Sequence, residues 1–485
     1  MKKLLITFLS VLVLGTITEA FGQLVLPDLF SDNLVLQRNT KAKIWGTSSE
    51  KNVEIRASWF DNMILTTKTN KKGEWSIAFE TPDAGGPYEL KISSGVQLRT
   101  IKNVMIGDVW VCAGQSNMEM PLRGFRGEPV ANSNREIIGS KNPEIRLISV
   151  PRKSTTSPVS EFEGSWKEAD INTTGSFSAT AYYFAKTVNE ITGVPIGLLD
   201  VNFGGSNVEA WMNEDVLKAY PDIEIPKTDA EIGERNRTPT VLFNGMLSPV
   251  IGYTIKGVIW YQGESNAERP LAYERLFPEM VKLWRNLWDQ GEFPFYYAQI
   301  SPFNYDLFYP NEKPWFANSA YLRDAQRKSE YIIPNSRMAC LLDAGDMKTI
   351  HPMDKQTPGE RLAWLALAKT YGKEGFGFET PDYNELNIED SLITITFKKL
   401  PNGITSYGRA VTAFQVAGED KIFYPAECKV RRKSVQVWSA NVPNPVAVRY
   451  AFSNEGPAQL FSTEGIPVSS FRTDDWNPEE VKVSK

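Results

Sequence analysis

The sequence predicts an α/β protein, a mainly parallel sheet with crossover helices and a β-rich segment on either side. Three observations predict it. Residues 23 to about 105 read as short alternating strands separated by turn residues, the pattern of a small antiparallel β domain. Residues 106–375 alternate apolar strand-length runs with helical patterns, which calls for βαβ units. Residues 376–485 return to short strands.

Ahead of these zones, Lys2 and Lys3 precede an apolar run, Leu4–Thr16, and a small-residue end at Ala20-Phe21-Gly22. That is the layout of a secretory signal peptide over residues 1–22. It predicts a secreted or periplasmic protein. No other run approaches membrane-spanning length, so the mature chain is expected off the membrane.

The first β zone has strand patterns at Lys43–Trp45, Val53–Trp59, Met63–Lys68, Glu74–Phe79 and Tyr88–Ser93. The middle zone begins with Val104–Ala113, a nearly continuous apolar run suited to a strand buried on both faces. Ala179–Ile191 has helical periodicity, with Ser178 placed to cap its start and Gly193 and Pro195 to end it. Strands are expected at Ile196–Val201, Lys256–Trp260, Phe295–Ile300 and Met338–Leu342. Leu271–Trp288 reads as a helix kinked at Pro278, and Thr357-Pro358 opens another that runs to about Tyr371. The last zone offers Leu392–Lys398, Val411–Val416, Glu427–Val430, Ser434–Trp438 and Val446–Phe452.

Composition narrows the function. The chain has 485 residues, 42% hydrophobic and 23% charged, which is enough apolar material for a large core. A net charge of -5 without a dominant basic patch argues against nucleic acid as a partner. Three cysteines are not a disulfide framework; Cys112 and Cys340 sit in apolar runs and read as buried, although export leaves one pairing with each other or with Cys428 open. A single histidine excludes a zinc site built on histidines, and no phosphate-binding or dinucleotide glycine fingerprint stands in a strand–helix context.

Four polar clusters follow predicted strands, where open α/β sheets bind ligands. Gly114-Gln115-Ser116-Asn117-Met118 places a serine on a glycine turn; its alternative reading is a helix cap. Asn202-Phe203-Gly204-Gly205-Ser206-Asn207 lets backbone N–H groups approach a substrate, or is a simple turn. Gln262-Gly263-Glu264-Ser265-Asn266 brings two amides and a carboxylate, usable on an oxyanion or as a polar loop. Asp343-Ala344-Gly345-Asp346 leads to Ile350-His351-Pro352. A serine needs a base, and His351 is the only imidazole available to supply one.

In this order the four clusters resemble the SGNH hydrolases, in their sialate O-acetylesterase-like branch. That branch is marked by Gly-Gln-Ser-Asn at the nucleophile, a Gly-Gly loop, a Gln-Gly-Glu loop and an Ile-His-Pro segment. Leu26–Asp32 and Arg323-Asp324-Ala325-Gln326 extend the match. The resemblance implies a three-layer, flavodoxin-like hydrolase domain over residues 106–375, between β domains at 23–105 and 376–485 that can pack together. It implies a secreted serine esterase removing acetyl groups from a carbohydrate. O-acetylated sialic acid comes first, with acetylxylan or another plant polysaccharide as the alternative. Ser116 is then the nucleophile and His351 its base. The N–H groups of Ser116 and Gly205, with an amide from Gln262 or Asn266, are expected to hold the oxyanion. Gln115, Asn117, Glu264 and Trp211 are expected at the substrate, and no metal or cofactor is required.

Two departures bear on the mechanism. Many SGNH enzymes have Asp where Gln115 stands, and Asp three residues before the histidine, where Lys348 stands. Asp346 is the first choice for the carboxylate that orients His351, with Asp343 and Asp354 as alternatives and a Ser–His dyad as another. Trp211, Trp260 and Tyr261 suit either sugar stacking or core packing. Two rivals of other classes remain: a glycoside hydrolase using Glu264 with Asp346, and a non-catalytic carbohydrate-binding protein.

Overall fold

The central strand of the molecule, β1 (Gln97–Gly114), belongs to two environments at once. Its first half pairs antiparallel with Gly85–Ser94 of the N-terminal β zone. From Val104 to Gly114 every residue is buried. This second half lies between parallel neighbours, which explains the unbroken apolar run. The computed structural model describes residues 24–484 apart from Asn62 and Pro314, so the expected leader at residues 1–22 lies outside the described residues.

The remaining strands of the central sheet are β2 (Asn142–Ser149), β3 (Lys167–Ala169), β4 (Ile196–Asn202), β5 (Gly257–Tyr261), β6 (Phe295–Ala298) and β7 (Ser336–Ala339). Their order is β7-β6-β5-β1-β4-β2-β3, parallel throughout except for the edge strand β3. Four helices cover it: α1 (Ala179–Thr192), α2 (Pro270–Trp288), α3 (Ser319–Ile332) and α4 (Gln356–Lys369). Period-2 alternation along the strands decides which helices each face meets. Trp110, Cys112 and Ile259 pack with Phe184 and Val188 of α1 and Leu362 and Ala366 of α4. Val109, Val111, Val258 and Trp260 pack with Phe277 and Trp284 of α2 and Leu322 of α3.

The local signals act as expected at α1. The Ser178 hydroxyl accepts from Ala181 N at 3.1 Å, and Gly193 ends the helix in the left-handed region at φ 66°. Helix α2 continues through Pro278 as one element.

Helix α3 and strand β2 escape the sequence reading because buried charged residues interrupt their apolar pattern. In α3, Arg323, Asp324, Gln326 and Arg327 are all buried, which hides the apolar period. In β2, Arg146 is 1% exposed. The buried charges of α3 hold the C-terminal zone. Arg323 donates to Ser470 Oγ at 3.2 Å and to Ser453 O at 2.5 Å, and Asp324 pairs with Arg472 at 3.3 Å.

That zone contains a four-stranded sheet, a five-stranded sheet and a core that takes in Cys340 and Leu342 just after β7. Buried residues of the N-terminal zone, such as Val53, Ile55 and Phe79, instead join the core beneath β1. The two β zones therefore have separate cores among the described residues. Cys112 and Cys340 are buried and Cys428 half-buried, all as free thiols.

Candidate active site

Three strand ends converge on one point. Gly114 of β1 is in register with Asn202 of β4 on one side and Tyr261 of β5 on the other. The crevice beyond them lies where the connections from two adjacent strands part, β1 leading to β2 on one side and β5 to β6 on the other, the usual ligand position in an open α/β sheet. Gly114 has φ 144°, and a Cβ there would lie 2.2 Å from Tyr261 O, so only glycine fits. Gln115 N donates to Tyr261 O at 3.0 Å, and the chain turns into a single helical turn, Ser116–Glu119. Ser116 thus sits on a tight strand-to-helix turn. It lines a cleft of about 340 Å³ whose wall also holds Gly204, Gly205, Glu264 and His351.

The Gly204-Gly205 loop is gripped from three sides. Gly204 N donates to Glu119 Oε2 at 2.7 Å, Asn236 Nδ2 donates to Gly204 O at 2.7 Å, and Arg237 Nε donates to Gly205 O at 3.3 Å. Glu119 is itself held by Arg152 at 2.5 Å. A Cβ on Gly204 would meet Glu119 Oε2 at 2.9 Å and Ser116 Cβ at 3.4 Å. The loop therefore lies directly against the Ser116 turn.

His351 reaches the same cleft from the loop after β7. Its Nδ1 is 2.9 Å from Glu128 Oε2, while Thr349 Oγ1 donates to the other oxygen, Glu128 Oε1, at 3.2 Å. Phe125 packs edge-on against the imidazole with centroids 5.4 Å apart. Ala131 N donates to Met353 O at 2.9 Å and ties the two loops together. Burial lowers the His351 pKa from its ordinary 6.5, and Glu128 opposes that shift.

The carboxylate beside His351 is therefore Glu128, not Asp346. Asp346 accepts from Lys348 N at 2.8 Å within its own loop and does not line the cleft. Asp343 forms a two-pronged pair with Arg361, both contacts at 2.6 Å. Asp354 accepts from Thr357 N at 2.9 Å at the start of α4. Each of the three is occupied elsewhere.

The amides expected at the oxyanion are also turned away. Gln262 Nε2 donates to Ser206 O at 2.9 Å and Asn266 Oδ1 at 2.8 Å, and Asn266 Nδ2 donates to Glu209 Oε2 at 3.0 Å. Both residues are 0% exposed and brace the underside of the two loops. Trp211 is equally buried, donating to Ser206 Oγ at 3.0 Å and packing edge-on against Trp260. Tyr261 is core as well.

Gln115 lines the cleft, its Oε1 accepting from Gly263 N at 3.1 Å and Ser265 N at 3.3 Å. Asn117 lies beneath it, and Glu264 reaches the cleft wall while bonding Asn117 at 2.5 Å. The aromatic wall comes from residues the sequence reading did not select: Phe125, Tyr305, Phe308 and Tyr309. Phe308, at 56% exposed, presents an open ring. Its run, Phe303–Tyr309, is dense in aromatics, the one signal that pointed to it.

The chain is similar to known carbohydrate acetylesterases. A family model described as carbohydrate esterase, sialic acid-specific acetylesterase, matches residues 106–341. A solved carbohydrate acetylesterase from Xanthomonas citri is similar at 32% identity and TM-score 0.85, over 94% of this chain and 100% of that one. The sialate O-acetylesterase of Rattus norvegicus is 27% identical over 433 residues, spanning 76% of this chain and 78% of the relative. That of Homo sapiens is 28% identical over 409 residues, spanning 76% and 75%.

Proposed function

The chain belongs to the carbohydrate esterase family of sialic acid-specific acetylesterases and is a carboxylic ester hydrolase; from that premise we propose that it deacetylates a carbohydrate through an acetyl-enzyme on Ser116. The observation that carries the reading is the shared cleft of Ser116 and His351, with Glu128 at 2.9 Å from His351 Nδ1.

A carboxylate at Nδ1 keeps the proton of the neutral ring on that nitrogen and leaves Nε2 as the acceptor. His351 Nε2 takes the Ser116 proton as Oγ attacks the acetyl carbonyl. The resulting oxyanion is met by the N–H groups of Ser116 and Gly205; that of Gly204 is already given to Glu119. His351 then protonates the sugar oxygen as it leaves. Water enters and gives its proton to His351 as it attacks the acetyl carbon; His351 returns that proton to Ser116 Oγ as acetate leaves.

In this reading the sugar stacks on Phe308 and its aromatic neighbours, and O-acetylated sialic acid is the first substrate, with acetylxylan second. We read residues 1–22 as the export signal, 106–375 as a three-layer SGNH domain, and 23–105 and 376–485 as β domains. The glycosidase alternative loses its pair, because Asp346 stands outside the cleft that holds Glu264. Acetate release from acetylated sialic acid and from acetylated xylan oligosaccharides, measured side by side, tests the substrate. Release from neither, with other acetylated glycans also untouched, contradicts the proposal.

A further inference from the structure

Behind Ser116 and His351 lies a buried polar chain that the reaction scheme leaves unused. Lys355 is 1% exposed, and its Nζ donates to Asn117 Oδ1 and to Pro352 O, both at 2.7 Å. Asn117, 0% exposed, donates from Nδ2 to Glu264 Oε1 at 2.5 Å and to Ile350 O at 3.0 Å. One ammonium and one amide therefore hold the carbonyls on both sides of His351. The same amide belongs to the residue after Ser116. The nucleophile turn, the β5 loop and the histidine loop are cross-tied at a single point.

A buried ammonium is a costly way to fill space. An apolar side chain of similar volume is often neutral or more stabilising than a buried charge pair. Stability alone therefore does not account for Lys355. Burial pulls its pKa down to about 7, opposed by Glu264, Asp354 and Glu128. The charged groups that face His351 are Glu128 and Glu119, which favour the imidazolium, and Lys355, which disfavours it.

We propose that Lys355, acting through Asn117, is a positioning residue that sets the mutual placement of Ser116 and His351 and whose charge favours the neutral, proton-accepting imidazole. It rests on the reading of Ser116 and His351 as the reacting pair. Misplacing reacting groups by about 1 Å can cost on the order of 100-fold in rate.

The test compares Lys355→Met, Lys355→Gln and Ser116→Ala on a chromogenic acetyl ester, with kcat and KM followed from about pH 5 to 9. Lys355→Met is expected to lower kcat about 100-fold with KM nearly unchanged. Lys355→Gln retains an amide donor and is expected to lose less. In both variants a positive charge has left the neighbourhood of His351, so the imidazolium forms more readily and the acid limb of kcat/KM moves to higher pH. A residue that only supports the fold would leave that limb in place. Folded variants with kcat within about twofold of the parent and an unmoved acid limb overturn the proposal. If Lys355→Met does not fold, Lys355→Gln decides by the same two readings. Activity persisting in Ser116→Ala would instead overturn the underlying assignment of the nucleophile.

Discussion

Glu128 Oε2 lies 2.9 Å from His351 Nδ1, joining two residues 223 positions apart in the chain. The loop that follows Ser116, not the one that carries His351, thus supplies the carboxylate beside the imidazole. Gly124, at φ 84°, and Gly127, at φ 82°, give that loop the turns that carry Glu128 back to the imidazole.

Glu128→Gln is expected to cut kcat severely, towards the roughly 10,000-fold loss known for the orienting aspartate of a serine protease. Asp346→Asn is expected to leave kcat within a few-fold. Steady-state kinetics on one acetyl ester checks both, and equal mild losses would favour a dyad.

The pH profile separates Glu128 from Lys355 by sign. Glu128 raises the His351 pKa against the lowering by burial. Its removal therefore moves the acid limb of kcat/KM to lower pH, opposite to the shift expected for Lys355→Met. His351 is the only histidine in the chain, so its ring C–H signal titrates alone in a proton NMR spectrum. In the parent enzyme its midpoint is expected below the ordinary 6.5.

Gly205→Ala is expected to reduce turnover while the protein stays folded. The position has φ 70°, and a Cβ would come within 2.7 Å of Asn236 Nδ2. The strain shifts the N–H assigned to the oxyanion, and losing one such donor costs about 100- to 1000-fold in kcat. A normal kcat would place the donor elsewhere.

Gln262→Ala is expected to act on stability first. It leaves buried Ser206 O without the amide that bonds it, a loss worth about 1–3 kcal/mol, while Asn266 Oδ1 keeps Val208 N at 3.0 Å. Thermal unfolding should show a clear fall in Tm. An unchanged Tm with a large loss in kcat would return Gln262 to the oxyanion.

What was legible in the sequence is what glycine and register enforce. Ser116 follows an apolar strand and a glycine that no other residue can replace, and His351 has no competitor. Glu128 was illegible because its partner is distant in sequence and its loop carries no periodic pattern. Gln262 and Asn266 were legible as amides, but nothing in their spacing said that they point into the protein. The aspartates near His351 were drawn in by proximity, yet Asp343 answers to Arg361 a helix away.

The central claim is that Ser116 carries the acetyl group from a sugar to water. Acetate release from an O-acetylated carbohydrate, measured for the parent enzyme and for Ser116→Ala of unchanged circular dichroism, tests it most directly. The account predicts steady release by the parent and a loss of several orders of magnitude in the variant. Near-normal release by Ser116→Ala would contradict it.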